Sequence, residues 1–137
     1  MNIFLCSSKV FYSDLAPIIT NLQSLGFSVT LPNSYENPGK EAEMRTRSDE
    51  EHGEWKASAF RDQIAKITNA DAILVYNGEK ESIAGYVGGS VLLEMYETWR
   101  QQKPIYLWNP IPDNMLRDEI KGLQPIVING DLSKIAV

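Results

Sequence analysis

Five short apolar runs alternate along this chain with segments in which apolar residues recur every three or four positions. A short, nearly continuous apolar run is typical of a strand that is buried on both faces of a parallel sheet. The runs predict strands at residues 2–6, 28–31, 72–76, 105–108 and 125–128. The helical spacing between them predicts amphipathic helices at residues 15–25, at about 51–68, after Gly89, and from a cap at Asp113 to Gly122.

This alternation predicts a single α/β domain, residues 1–137, with a parallel five-stranded sheet and helices on both faces. Ligands of such sheets bind beyond the carboxyl ends of the strands, where the strand order reverses. If strand 1 lies between strands 2 and 3, the crevice is lined by Ser7 and Ser8 on one side and by residues 77–90 on the other.

The segment from residue 33 to residue 51 breaks the alternation. It starts with turn-forming residues, and from residue 41 to residue 51 it is dense in both signs of charge, with Met44 as the one large apolar residue of that part. A connection of this length is usually a lid, a binding loop or a disordered segment. The sequence leaves open whether it covers a site or is a mobile, solvated loop.

Composition narrows the classes of function. A net charge of −5 argues against a general nucleic-acid binder, which needs a basic face. One cysteine, Cys6, and one histidine, His52, leave no disulfide framework and make a zinc site unexpected. No targeting segment and no membrane-length apolar run are visible, so we expect a cytoplasmic protein without a membrane partner.

The stretch from Gly85 to Glu94 carries the candidate chemistry. Gly85, Gly88 and Gly89 let the backbone turn and approach a ligand, and the helix that follows directs free N–H groups at that turn. Val91, Leu92, Met95, Tyr96 and Trp99 form the predicted buried stripe of this helix. Glu94 then lies at the flank, about 130° from the stripe centre, and leans toward the turn.

Glu94 has three interpretations on residue chemistry alone. Its carboxylate can be a covalent nucleophile, since carboxylates form glycosyl-enzyme intermediates. It can hydrogen-bond a ligand hydroxyl without reacting, or it can favour the helix N-terminus through the dipole. The candidates for binding around it come from the crevice and its loops. They are Ser7, Ser8, Asn77, Gly78, Tyr86, Gly88, Gly89 and Ser90.

Three motifs together resemble the nucleoside 2-deoxyribosyltransferase-like family. They are Asn-Ala-Asp-Ala-Ile-Leu-Val at residues 69–75, Gly-Tyr-Val-Gly-Gly-Ser at 85–90 with Glu94 and Met95 following, and Lys-Pro-Ile at 103–105. The likeness is strongest over residues 69–110. It is greatest to a branch with a Gly-Tyr-Ile-Gly-Gly-type turn before the helical glutamate and an Asn-Pro-Ile-Pro loop, here residues 109–112.

The resemblance implies a flavodoxin-like three-layer α/β/α sandwich with strand order 2-1-3-4-5. It implies that Glu94 matches the nucleophile that attacks the anomeric carbon of a 2′-deoxynucleoside and releases the base. A second base, or water in the hydrolases, then takes the sugar, and no cofactor is needed. Family members are typically oligomers that complete each other's sites, so a dimer or a higher homo-oligomer is implied.

The chain departs from the resembled enzymes at one position that bears on catalysis. They usually carry an Asp six residues before the nucleophile, and here that residue is Gly88. Asp71, Asn77, Glu79 or a residue of the 33–51 segment are the candidates to replace it. The sequence therefore supports an N-glycosidic enzyme on a nucleoside or nucleotide, or a binding module of the same fold without chemistry. A protein-interaction domain that uses exposed Trp is a third hypothesis.

Overall fold

The computed structural model describes residues 1–135 and contains a five-stranded parallel sheet with strand order β2-β1-β3-β4-β5. This confirms the predicted fold class and strand order. The strands are β1 (Asn2–Cys6), β2 (Ser28–Thr30), β3 (Ala72–Val75), β4 (Ile105–Leu107) and β5 (Ile126–Val127). Each lies within an apolar run identified in the sequence, and four of the five are shorter than predicted by one or two residues.

The α-helices are α1 (Leu15–Ser24), α2 (Asn33–Glu36), α3 (Lys40–Arg45), α4 (Asp49–Asn69), α5 (Gly89–Arg100) and α6 (Arg117–Gly122). Two 3₁₀ helices, Lys9–Asp14 and Leu132–Lys134, complete the described secondary structure. No helix within residues 1–135 is long and apolar enough to cross a membrane.

Two apolar clusters lie on opposite faces of the sheet and make the fold three layers deep. Phe4, Ile73 and Leu107 point to the face that α4, α5 and α6 cover. Their neighbours along the strands, such as Leu5 and Leu74, point to the other face, where α1 packs. This alternation follows from the period of two along a strand, and it explains why the apolar runs are continuous.

The segment from residue 33 to residue 51 is helical instead of a loop. Residues 33–36 and 40–45 form α2 and α3, and α4 begins at Asp49. The side chain of Ser48 caps α4 by accepting a hydrogen bond from the Glu51 N–H at 3.1 Å. Met44 is buried and anchors α3. The charges that made this segment look like a solvated loop are largely ion pairs three and four residues apart, such as Arg47 with Glu43 at 3.1 Å.

The predicted buried stripe of α5 is wrong in part. The buried residues are Val91, Glu94, Met95 and Thr98, whereas Tyr96 and Trp99 are 52% and 46% exposed. The buried face of α5 is therefore rotated toward Glu94 from the face that the apolar residues predicted, because the polar residues Glu94 and Thr98 point inward. Thr98 satisfies its hydroxyl there by donating to the backbone carbonyl of Glu94 at 2.7 Å.

Two smaller expectations also fail. Asp113 does not cap α6, which begins at Arg117; instead Asn114 Oδ1 accepts a hydrogen bond from the Leu116 N–H at 2.9 Å. The helix predicted at about 51–68 has apolar residues at helical spacing, but Ile67 of α4 is buried whereas Trp55, Phe60 and Ile64 are half-buried or exposed. The apolar residues in the middle of α4 thus remain partly accessible in the single chain.

Candidate active site

A cavity of about 210 Å³ lies beyond the carboxyl ends of β1 and β3, where the strand order reverses. Three segments meet there: the residues after β1, the start of α5, and the α2–α4 region. The lining residues are Ser7, Ser8, Lys9, Tyr12, Pro32, Ser34, Glu41, Lys56, Gln63, Gly88, Gly89, Ser90, Val91 and Glu94. The sheet topology therefore places a cavity at the edge where the sequence analysis expected a ligand.

Six of the nine residues that the sequence singled out line this cavity together. They are Ser7, Ser8, Gly88, Gly89, Ser90 and Glu94. Gly88 approaches Ser8 so closely that a Cβ added to it would lie 3.0 Å from the Ser8 Oγ. The lack of a side chain at Gly88 thus keeps the two loops in contact at the mouth of the crevice.

Asn77 lies outside the cavity lining and is fully buried. Its Nδ2 donates to the carbonyls of Asn109 at 3.0 Å and of Gly85 and Pro110 at 3.3 Å, and its Oδ1 accepts from the Asn109 N–H at 2.8 Å. These contacts join the loop after β3 to the loop after β4. The side chain is fully used by the protein, and a contact of Asn77 with a substrate stays a prediction.

Gly78 and Tyr86 support the glycine turn from outside the cavity lining. The Tyr86 N–H donates to the Gly78 carbonyl at 2.8 Å, and a Cβ at Gly78 would lie 2.8 Å from the Phe11 ring. The Tyr86 ring carries the Lys80 ammonium 4.8 Å from its centroid. Tyr86 lies next to Gly88, so a contact with a ligand at the mouth of the cavity stays a prediction.

Glu94 combines burial with an unsatisfied carboxylate. Glu94 is only 5% exposed, and its Oε2 has no hydrogen-bond partner within residues 1–135. Burial raises the pKa of Glu94 to about 7, although the neighbouring Cys6 thiol and the charges of Lys66 and Lys56 oppose this rise. A buried ionisable group with a raised pKa that lines a cavity is typical of functional sites.

Cys6 lies behind Glu94 at the end of β1 and is fully buried. Burial raises the pKa of the Cys6 thiol well above its ordinary value, and the neighbouring Glu94 raises it further. Because only the thiolate is a good nucleophile, Cys6 is unreactive here. Its neutral thiol lies beside the carboxylate, and its Sγ donates to the Phe4 carbonyl at 3.8 Å.

The raised pKa of Glu94 predicts a pH-dependent loss of stability. The folded protein holds the Glu94 proton more tightly than the unfolded chain, so stability falls as the pH rises from about 4.5 to about 7 and then levels off. The full shift corresponds to about 3 kcal/mol. We expect Glu94→Gln to remove this loss. In urea unfolding, the free energy of unfolding of the mutant minus that of the wild type should therefore grow as the pH rises from about 4.5 to about 7. A difference that stays constant from pH 4.5 to pH 7.5 would contradict the assignment.

Glu41 and Lys56 also line the cavity, although neither residue was predicted from the sequence. The Lys56 Nζ lies 3.0 and 3.3 Å from the two carboxylate oxygens of Glu41, and the His52 Nε2 lies 3.4 Å from one of them. The Glu41 side chain is 14% exposed. Charge density in the 33–51 segment was the available signal, but nothing in the sequence indicated which of its carboxylates faces inward.

Glu41 and Glu94 differ in charge state because their surroundings differ. Burial would raise the pKa of Glu41, but the hydrogen bonds and charges of Lys56, His52 and Arg45 outweigh it and lower that pKa. Glu41 is therefore ionised at neutral pH, whereas Glu94 is divided between its two protonation states. Two carboxyl groups held apart in this way can take different roles in one reaction.

Hydroxyl groups and backbone N–H groups supply the remaining polarity of the cavity. The Tyr12 hydroxyl lies 2.6 Å from the Ser34 Oγ. No side chain caps the start of α5, so the N–H groups at Gly89 and Ser90 are available to an acceptor on a ligand. No group of three or more His, Cys, Asp and Glu side chains in residues 1–135 could hold a metal ion.

Two solved structures share this architecture. The 2-deoxyribosyltransferase from the psychrotolerant bacterium Bacillus psychrosaccharolyticus matches with a TM-score of 0.56 and 19% identity, covering 78% of this chain and 71% of its own. The CMP N-glycosidase of Clostridium botulinum matches with a TM-score of 0.56 and 17% identity, covering 94% and 89%. Neither a protein-family model nor a curated protein matches the chain. The likeness establishes that this chain has the fold that its sequence motifs implied, the fold of nucleoside 2-deoxyribosyltransferase-like proteins.

Proposed function

We propose that this protein is an enzyme that cleaves or transfers the N-glycosidic bond of a (2-deoxy)nucleoside or nucleotide, with Glu94 as its nucleophile. The observation that carries the proposal is the buried Glu94 carboxyl group, which has an unpartnered oxygen and lines a cavity at the switch point of the sheet. The two similar structures add support, because both are named for chemistry on nucleosides or nucleotides.

The reaction follows from the chemistry of a carboxylate nucleophile. The ionised Glu94 attacks C1′ of the sugar, a C1′–O bond forms, and the C1′–N bond breaks with its electron pair leaving on the base. Water or a second base then attacks C1′ and releases the Glu94 carboxylate, and the proton that the attacking water or base gives up goes to the base that left. Because only the ionised form attacks, turnover rises with pH through the Glu94 pKa of about 7.

The lining residues have roles that fit a sugar or a nucleotide. Ser7 and Ser8 offer hydroxyl groups from the loop after β1. Gly88 and Gly89 let the backbone approach the ligand, and the N–H of Ser90 faces its acceptor atoms. The test is incubation with 2′-deoxynucleosides, and separately with nucleotides such as CMP, with and without a free base. Chromatography then detects base release or base exchange, and no added cofactor is expected to be needed.

A specific observation favours a second candidate, a nucleotide- or nucleobase-binding module without chemistry. Gly88 stands where the resembled enzymes keep an Asp, so a carboxylate is missing from its usual place. A ligand at about 100 times its dissociation constant adds about 2.7 kcal/mol to the stability. Thermal stabilisation by nucleotides in the absence of any base release would favour the binding module over the enzyme.

We also propose that the protein is a homo-oligomer whose interface covers the groove between α4 and α5. This groove has a volume of about 260 Å³ and is lined largely by apolar side chains, among them Phe60, Ile64, Leu93 and Tyr96. Glu94 lines both the groove and the polar cavity, so a second copy seated here would also shield the nucleophile from water.

The oligomer is testable with a charge placed in this groove. Leu93 is 53% exposed, and we expect Leu93→Glu to convert the oligomer to a monomer in size-exclusion chromatography with light scattering. Leu25, which is 58% exposed just beyond α1, gives the control Leu25→Glu, which should keep the wild-type mass. A monomeric wild type, or a Leu93→Glu variant with the wild-type oligomeric mass, would contradict this interface.

A further inference from the structure

The cavity contains a second carboxylate that the sequence motifs do not place there. The resembled enzymes have an Asp at the position of Gly88, and this chain has no carboxylate there. Outside the 33–51 segment, three residues are candidates to replace that Asp. Asp71 accepts a hydrogen bond from the Asn2 N–H at 2.6 Å, at the amino ends of the strands, whereas the cavity lies beyond their carboxyl ends. Asn77 is fully engaged between two loops, and Glu79 lines a separate depression.

Glu41 is the carboxylate that reaches the cavity from the other side. It lines the same 210 Å³ space as Glu94, and its side chain is only 14% exposed. α3 positions it, because Met44 of the same helix is buried beneath. Lys56 fixes the carboxylate from α4 at 3.0 and 3.3 Å, so its oxygens are held in place before a ligand arrives.

The fixed carboxylate retains the capacity to accept a hydrogen bond from a ligand. A carboxylate has about four acceptor positions, and the contacts from Lys56 and His52 leave room for another donor. Since Glu41 is ionised, it cannot donate a proton to a leaving base. Its chemistry is that of an acceptor for the hydroxyl groups of a sugar or for the exocyclic amine of a base.

We propose that Glu41, held by Lys56, is the substrate-orienting carboxylate of this site. It takes the role of the Asp that the resembled enzymes carry at the position of Gly88. This inference rests on the proposed function for its reaction, but it concerns binding and is tested by binding. The ligand class is a nucleoside or nucleotide that offers a hydroxyl or amine donor to the wall of the cavity opposite the glycine turn.

The test compares Glu41→Gln with the control Glu43→Gln from the same helix. Glu43 is 51% exposed and pairs with Arg47 and Lys40 away from the cavity, so its loss removes charge from α3 without touching the site. Calorimetry measures the binding of CMP, dCMP, 3′-deoxy-CMP and UMP to each variant. Loss of a hydrogen bond to a charged group predicts about 10- to 100-fold weaker CMP binding by Glu41→Gln and a change below about 2-fold for Glu43→Gln.

The four ligands separate a contact with substrate from a structural effect. If Glu41 accepts a hydrogen bond from one donor group of the ligand, a ligand without that group binds equally well to the wild type and to Glu41→Gln. The ligand without the 2′-hydroxyl is dCMP, the one without the 3′-hydroxyl is 3′-deoxy-CMP, and the one without the exocyclic amine is UMP. A loss that is equal for all four ligands, or no loss, overturns the proposal. If Glu41→Gln does not fold, Glu41→Asp keeps the charge for Lys56 and should show the same ligand-selective loss.

The outcome for Glu41 is distinguishable from the outcome for the proposed function. Binding of the ligands by the wild type without base release would end the enzymatic proposal, and the comparison of Glu41→Gln with Glu43→Gln would still decide the role of Glu41. A wild type that binds none of the four ligands overturns the role of Glu41 as well. Selective loss of binding together with turnover supports both.

Discussion

Replacing Glu94 with glutamine is expected to lower base release by about 10³-fold or more, because the reaction then lacks its nucleophile. Glutamine keeps the shape of the side chain and removes the buried charge. The folded protein therefore survives the change, and above pH 7 it gains stability, since the cost of ionising a buried carboxyl group is gone. The measurement is the initial rate of free-base formation, by chromatography, at several pH values between 5 and 9.

The matched control is Glu97→Gln, three residues further along α5. Glu97 lies in the groove between α4 and α5 and hydrogen-bonds to Arg100 at 2.8 Å. Hydrogen bonds from Arg100 and Gln101 lower its pKa to about 2. It is ionised over the whole working range and does not line the polar cavity. Glutamine keeps the shape of this side chain in the groove, so we expect the variant to retain the wild-type oligomeric mass, turnover and pH dependence. Equal rates for wild type and Glu94→Gln would exclude Glu94 as the nucleophile.

Gly85→Ala is expected to destabilise the protein by about 3 kcal/mol at any pH. Gly85 has a φ of +74°, and a Cβ at this position would lie 2.5 Å from the Pro110 carbonyl oxygen and 3.2 Å from the Asn77 Nδ2. The nearest obstacle is backbone, so it cannot rotate away as a side chain would. The added methyl group forces apart the two loops that Asn77 joins, next to the candidate site.

A control variant separates the cost of the positive φ at Gly85 from the cost of the steric clash with the Pro110 carbonyl oxygen. Gly39 has a φ of +87°, but a Cβ there would meet nothing within 4 Å. Gly39→Ala should therefore cost only about 1 kcal/mol, which is the conformational part of the effect. Urea unfolding of both variants gives the comparison. If Gly85→Ala costs no more than Gly39→Ala, the loop contact described here does not exist in solution.

The fold was predictable because its three central strands, β1, β3 and β4, are buried on both faces. Each apolar run, such as residues 72–75, reads as a strand without knowledge of its partners. The helical character of residues 33–51 was not predictable in the same way. This helical structure depends on the burial of Met44 and on ion pairs between side chains that are three or four residues apart in the chain. A charged surface helix has few apolar residues, so its sequence shows little hydrophobic periodicity.

The candidate site was predictable where the sequence concentrates its signals and not elsewhere. The glycine turn and Glu94 are close together in the chain, and the sheet topology places them at the ligand edge. The same signals misplaced the buried face of α5, because hydrophobicity assigns Tyr96 inward and Glu94 to the flank. A buried carboxylate contradicts local patterning, and such contradictions are expected at functional sites. Glu41 was missed because only tertiary packing brings it to Glu94.

The central claim is that Glu94 attacks C1′ of a nucleoside or nucleotide, and trapping the covalent intermediate tests it most directly. A 2′-fluoro-2′-deoxyarabino substrate analogue slows the second step, because fluorine destabilises its oxocarbenium-like transition state. Mass spectrometry of the treated protein should show the added sugar mass, and peptide mapping should place it on Glu94 and not on Glu97. Turnover of the natural substrate with no adduct on Glu94, or an adduct on another residue, would contradict the proposed mechanism.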